Sequence, residues 1–274
     1  MGILKRVASF PHFEPHRSGG PRMREVPPRM VLPSLITVLA ICAGLSAIRL
    51  AFESHFEAAV SLILVACLLD GIDGRLARAL HATSRFGAEM DSLADIVNFG
   101  VAPALVLHAF LLHEAGPLGW IAAVLFAIAC GLRLARFNVL AGTGHERGNW
   151  QAEYFVGVPA PAGALLVLLP MYLVLGGLQP DRTFAVLGSG YTIMVAYLLV
   201  SRMPVFSGKA IGGRIPFFIA IMVMSGLLGY AMPLFNYAWY TLTASALAYL
   251  VFLPLSALAY SRRARIEDER KTNA

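Results

Sequence analysis

Between Leu69 and Gly100 the chain reads LDGIDGRLARALHATSRFGAEMDSLADIVNFG, and its four aspartates, Asp70, Asp73, Asp91 and Asp95, fall within or beside apolar runs. An ionised side chain at membrane depth is costly, which makes it a functional candidate by default. Asp70 and Asp73 are three apart, with Gly74, Ala77 and Arg78 on the same helical face, while Gly87, Asp91 and Asp95 recur every four residues on another. Two antiparallel helices joined through residues 79–86 can aim all four carboxylates at one point. Four like charges there cannot all stay ionised without compensation, and two divalent cations balance them. The donor set is all oxygen, with no His or Cys grouping, so magnesium, manganese or calcium is expected. Gly71, Gly74, Ala77 and Gly87 keep the surface low enough for a substrate to approach backbone and metals. Arg78, two turns from Asp70, suits a phosphate. Metals with a phosphate-binding arginine indicate phosphoryl-group transfer.

The elements that must carry these residues are membrane helices. The chain has 274 residues, 58% hydrophobic and only 14% charged, where a soluble domain carries about a quarter charged residues. That balance excludes a disordered chain, a nucleic-acid-binding domain and a conventional soluble enzyme. Apolar runs of spanning length recur, and the pattern predicts helices near 31–52, 56–78, 87–112, 118–140, 157–178, 183–200, 214–232 and 236–260. The expected fold is an all-α polytopic bundle of about eight transmembrane helices. Its parts are a flexible basic tail over 1–30, a membrane-embedded catalytic domain over 31–260 and a charged tail over 261–274. The tail lacks the short apolar core of a signal peptide. Cys42, Cys67 and Cys130 lie far apart in apolar runs and read as packing groups.

On this topology 20 of the 22 Lys and Arg residues fall on one side, leaving only Arg49 and Arg182 on the other. The asymmetry predicts a multi-pass protein of the cell (inner) membrane with both termini and the acidic site cytoplasmic.

The spacing Asp70-x-x-Asp73-Gly74-x-x-Ala77-Arg78, then eight residues, then Gly87-x-x-x-Asp91-x-x-x-Asp95, resembles the signature of the CDP-alcohol phosphotransferase family. The resemblance implies a six-helix core opening to the cytoplasmic leaflet, a CDP-linked lipid whose pyrophosphate sits on two divalent cations (Mg2+ or Mn2+), and a homodimer. It implies Asp70, Asp73 and Asp91 as metal ligands, and Asp95 as both metal ligand and general base. Gly74, Arg78 and Ser84 contact the nucleotide phosphates on this reading, beside the low surface at Gly87. Pro33-Ser34-Leu35-Ile36-Thr37 is similar to the family's Pro-Asn-x-x-Thr at the cytidine, with Ser34 where Asn is usual and Thr37 in place.

Residues 82–95, 98–103, 132–138 and 155–161 resemble the phosphatidylserine synthase branch of that family. This implies CDP-diacylglycerol and L-serine as substrates, with membrane lipids around them and no nucleic acid. A serine carboxylate needs a cation, and Arg133 and Arg136 stand three apart at the end of the fourth helix, where they can equally be topology anchors. Asn98, one turn past Asp95, can bond the serine ammonium or a neighbouring helix. Lys209 and Arg214 read as topology and headgroup residues. None of the seven histidines begins an HxK motif, so direct displacement is expected and not a phosphohistidine route. Three alternatives remain: another acceptor (glycerol phosphate, an inositol compound or choline), a proton-coupled transporter, and a scaffold whose aspartates only tie helices together.

Overall fold

A computed structural model describes residues 28–80, 84–142, 154–201, 204–206 and 237–272. The expected helix at 214–232, the tail before residue 28, and Lys209 and Arg214 lie outside the described residues.

α1 (Pro28–Phe52) and α2 (Phe56–Ala79) form an antiparallel hairpin through Glu53–His55. Its seam is built of small side chains. Ala40, Ala43, Ala47 and Ala51 repeat every three or four residues on α1, and Ala59, Val60, Ile63 and Ala66 face inward on α2; all are buried. Inside a bilayer, where lipid is as apolar as leucine, close backbone approach of this kind replaces the hydrophobic drive.

α3 (Arg85–Asp95) begins at Ser84, whose Oγ accepts the Gly87 N–H at 3.0 Å. It runs without a break into a π-helical turn (Ile96–Val101) and then α4 (Ala102–Phe110). Pro103 lacks the N–H that would bond the Phe99 carbonyl, and the wider π turn lies just where that bond is missing. The expected helix at 87–112 is therefore one span with a rotated middle, followed by a 3-10 turn at Leu112–Ala115. α5 (Pro117–Gly142) returns across the bundle.

The expected span at 157–178 is not one helix. It is a short strand β1 (Tyr154–Val156), then α6 (Ala160–Val167) and α7 (Leu169–Leu175) broken at Leu168. Pro170 cannot donate to the Leu166 carbonyl, which accepts the Tyr191 hydroxyl at 2.9 Å instead. α8 (Arg182–Val200), capped by Asp181 on the Phe184 N–H at 2.7 Å, leads to β2 (Pro204–Phe206). β1 and β2 pair antiparallel with Phe155 opposite Val205. α9 (Ala238–Thr272) continues beyond the expected end at 260 into the charged tail. There Arg263/Glu267, Arg265/Glu269 and Glu267/Lys271 have the i,i+4 spacing that supports a helix.

Five described segments are long and apolar enough to cross a membrane: Leu32–Phe52, Phe86–Phe110, Pro117–Val139, Arg182–Val200 and Ala238–Ser256. α2 is as long but ends in its charged turns. From the π turn to α8 the interior is closed by Phe99, Leu107, Phe126, Leu166, Met171 and Leu199, all buried. This is a polytopic helical membrane bundle.

One close approach fixes the seat of the rotated span. Gly44 of α1 lies against the Asn98 carboxamide in the π turn, and a Cβ there would run into the amide oxygen. Gly44→Ala is expected to cost about 1–3 kcal/mol through overpacking, read as a lowered Tm in detergent. Gly131→Ala, with open space around its Cβ, should be neutral or stabilise by up to about 1 kcal/mol.

Candidate metal and phosphate site

α3 packs on α1 rather than on α2, and its π-helical continuation touches both. The three helices thus enclose a cleft whose walls are the polar ends of α1, α2 and α3. Carboxylate oxygens of Asp70, Asp91 and Asp95 all lie within 4.8 Å of one another, each side chain half-buried. At that spacing each ionised pair repels by about 3 kcal/mol for an effective dielectric near 20. The same spacing suits oxygens around one hard cation, whose bonds are about 2.1–2.5 Å.

Asp73 stands beside this group and is 3% exposed. Its Oδ2 accepts the Thr37 hydroxyl at 2.7 Å, and that hydroxyl also lies 3.1 Å from the Pro33 carbonyl. Asp73 Oδ1 is buried with no hydrogen-bond partner. A buried carboxylate oxygen without a partner, beside three converging carboxylates, fits divalent cations of the magnesium type. The four aspartates are therefore one neighbourhood, but three converge and the fourth is held to one side by α1.

The cleft opens as a cavity of about 210 Å³. Ser34 and Thr37 of α1, Asp73, Gly74 and Arg78 of α2, and Ser84, Gly87 and Asp91 at the start of α3 all line it. Among these, Ser34, Thr37, Gly74, Arg78, Ser84 and Gly87 are the nucleotide-side residues expected from the family resemblance, and three helices bring them to one cavity. Gly87 also sits close to the cap, because a Cβ there would stand 3.1 Å from the Ser84 Oγ that caps α3 and would crowd it. The positive end of α3 points into this cavity and adds to Arg78 as a site for anionic oxygens.

The acceptor-side candidates part company. α5 runs antiparallel to the α3 span: a Cβ on Gly100 would meet Cys130 at 3.2 Å, and Asn138 donates to Ser92 Oγ at 2.9 Å. Between these two contacts Arg133 comes level with Asp95 and stands within Coulombic reach of it. Its Nε is buried and unpartnered, and its guanidinium carbon lies 6.0 Å from the centre of the Phe137 ring. Arg136 turns the other way. It donates to the Val200 carbonyl at 2.9 Å and the Ser201 carbonyl at 3.2 Å, closing the C-terminus of α8. Asn98 is fully buried against Gly44, with neither amide atom hydrogen-bonded.

Comparison with known proteins decides the family. A family model described as CDP-alcohol phosphatidyltransferase matches residues 30–199. The chain belongs to that family. Among curated relatives, a CDP-diacylglycerol--serine O-phosphatidyltransferase of Mycobacterium leprae is 49% identical over 187 residues, covering 67% of this chain and 61% of the relative. One of the same name from Mycobacterium tuberculosis strain H37Rv is 52% identical over 150 residues, covering 55% and 52%. A third, from Helicobacter pylori strain J99, is 34% identical over 206 residues, covering 73% and 82%. The match thus spans only about half to three-fifths of the mycobacterial relatives' length. α9 lies beyond the stretch that the phosphatidyltransferase model matches.

Spacing alone does not reveal Thr37 as the partner of Asp73, since that contact joins residues 36 apart. A threonine facing inward one turn after Pro33 is the only signal it leaves. The ligand field can be tested with Mn2+ binding, by electron paramagnetic resonance on purified protein. Asp91→Asn is expected to weaken binding by well over tenfold, and Thr37→Val, which only releases Asp73, by roughly tenfold.

Proposed function

We propose that this chain transfers the phosphatidyl group of CDP-diacylglycerol to L-serine, giving phosphatidylserine and CMP. The observation that carries the reading is the convergence of Asp70, Asp91 and Asp95 beside a cavity that Asp73, Arg78 and Asp91 line. The names of the relatives support serine as acceptor and CDP-diacylglycerol as donor.

On this reading Asp70, Asp73, Asp91 and Asp95 hold two divalent cations, Mg2+ or Mn2+. When bound, such ions neutralise charge on the pyrophosphate and on the departing phosphate. Arg78, the Gly74 backbone and the start of α3 with Ser84 and Gly87 bind the phosphate oxygens. Ser34 and Thr37 line the nucleoside end. Asp95 accepts the proton of the serine hydroxyl as its oxygen attacks the lipid-side phosphorus. A new P–O bond forms to serine, the pyrophosphate P–O bond breaks, and CMP leaves with the electron pair. Arg133, level with Asp95, supplies the cation for the serine carboxylate. Arg136, already spent on α8 carbonyls, and Asn98, shut behind Gly44, serve the architecture of the same wall. The charge asymmetry of the loops supports an inner-membrane enzyme with its site on the cytoplasmic face, and a homodimer is part of the proposal.

The test is CMP release from CDP-diacylglycerol by purified protein offered L-serine, glycerol 3-phosphate, inositol, inositol phosphate or choline. L-Serine is expected to exceed every other acceptor by at least about tenfold, and chelator to abolish the reaction. Asp95→Asn should lower kcat by about 10²–10⁴-fold with Mn2+ binding partly retained. Rapid CMP release with glycerol 3-phosphate and none with serine would end the assignment.

A further inference from the structure

α9 lies outside the matched family stretch and packs on α7 and on β2, and one of its polar side chains, Tyr249, stands within electrostatic range of Arg133. Tyr249 is packed against the core, and its hydroxyl is buried without a hydrogen-bond partner. It stands within Coulombic reach of Arg133, whose Nε is buried and unpartnered in the same way. Arg133 in turn is level with Asp95. Two groups with buried, unpartnered atoms, one on each of two helices, thus lie within electrostatic range of one another, and Arg133 within range of the candidate base.

Buried polar groups are almost always paired, so an orphan pair asks what completes it. A guanidinium has donors only, and a neutral phenol next to it offers its O–H. The missing partner is therefore an acceptor, and beside a half-buried guanidinium whose Nε is enclosed an anionic one. The cavity of about 170 Å³ that Tyr249 lines does not suit that ligand, because it holds no cation and most of its wall is Ala162, Leu165, Leu166, Leu242 and Ala246, with only the uncharged Tyr172 and Ser245 beside Tyr249. The anion belongs on the Arg133 side of the ring, within reach of Asp95. The Phe137 ring near the Arg133 guanidinium helps to hold its orientation.

We infer that Tyr249 and Arg133 form the carboxylate subsite of the acceptor, so that a helix beyond the matched family stretch supplies a specificity residue. The inference rests on the proposed serine reaction and deepens it. It explains how the site separates an amino acid from an uncharged alcohol of similar size: the carboxylate satisfies two buried donors that an uncharged group leaves orphaned.

The experiment compares wild type, Tyr249→Phe and Arg133→Lys in CMP release with L-serine and with serinol, which replaces the carboxylate by a hydroxymethyl group. Tyr249→Phe keeps the ring and removes only the hydroxyl. The KM for L-serine is expected to rise about tenfold, as for loss of a hydrogen bond to a charged group, while the KM for CDP-diacylglycerol stays within about twofold. The ratio of kcat/KM for serine over serinol should fall by about the same tenfold, and Arg133→Lys should move it the same way. An unchanged serine KM in Tyr249→Phe, or equal losses with serine and serinol, would overturn the subsite. If wild type uses glycerol 3-phosphate and not serine, the serine reading fails by itself. The variant is then read on that acceptor: a raised KM keeps Tyr249 in an anion subsite, and an unchanged one removes it.

Discussion

Three carboxylates within 4.8 Å of one another, with a fourth just beside them, are the constraint around which the site end of this bundle is arranged. Such a group is unstable by itself in a half-buried setting. Its neighbours are placed so that cations and phosphate oxygens can enter. α3 stands off from α2 and leans on α1, leaving a cleft and not a sealed seam. Glycine and alanine line the floor of that cleft, and the start of α3 and Arg78 give its outer half a positive potential. Thr37 holds one oxygen of Asp73 and leaves the other buried without a partner. A tighter α2–α3 pair would pack better and could hold neither ion nor nucleotide.

The irregular backbone has the same origin. A straight helix from 85 to 110 would carry Asp91, Asp95, Asn98 and Ala102 down one continuous stripe. The π turn after Asp95 rotates the rest of the span, so that the aspartates face the cleft while Phe99 and Gly100 pack into the bundle. Gly44 gives the turned-in Asn98 its space. The break at Leu168 works differently. Pro170 frees a carbonyl inside the membrane, where an unpaired group is expensive, and Tyr191 of α8 takes it up. A backbone fault in one helix thereby becomes a tie to another.

The acidic half of the site was legible in the sequence because its information is local. The three- and four-residue spacing on two helices puts each pair of aspartates on a face, and the surrounding apolar runs locate those faces in a membrane. The expected residues of α1, α2 and α3 do line one cavity. What stayed hidden depends on which helices meet. Arg133 and Arg136 are indistinguishable by spacing, yet one reaches the level of Asp95 and the other closes α8, because the two point to different neighbours. Asn98 looks like a substrate contact until α1 is laid over it. The span at 157–178 is apolar enough to pass as one helix, and its prolines hint otherwise: Pro159 and Pro161 at the true helix start and Pro170 at the break. The charged end of α9 reads as a tail by composition and as a helix by its i,i+4 pairs.

Under the proposed reaction the molecule divides its labour by helix. α1 to α3, all but the first two residues of α1 within the matched family stretch, bind the parts common to every CDP-activated substrate: a nucleoside, a pyrophosphate and its cations. On the proposed reading the acceptor arrives from the α5 side, where Arg133 stands within electrostatic range of Asp95, and Tyr249 of α9 adds to that side from beyond the matched stretch. Such a division lets acceptor choice change without disturbing the reactive phosphate, because the groups that differ between alcohols meet residues that take no part in holding the metals. It also places the cost of specificity where the bundle can bear it: two buried donors wait unpaired in a region whose other contacts are apolar and closely packed. An acceptor that satisfies both is bound and oriented at once, its hydroxyl brought to the one carboxylate suited to take the proton.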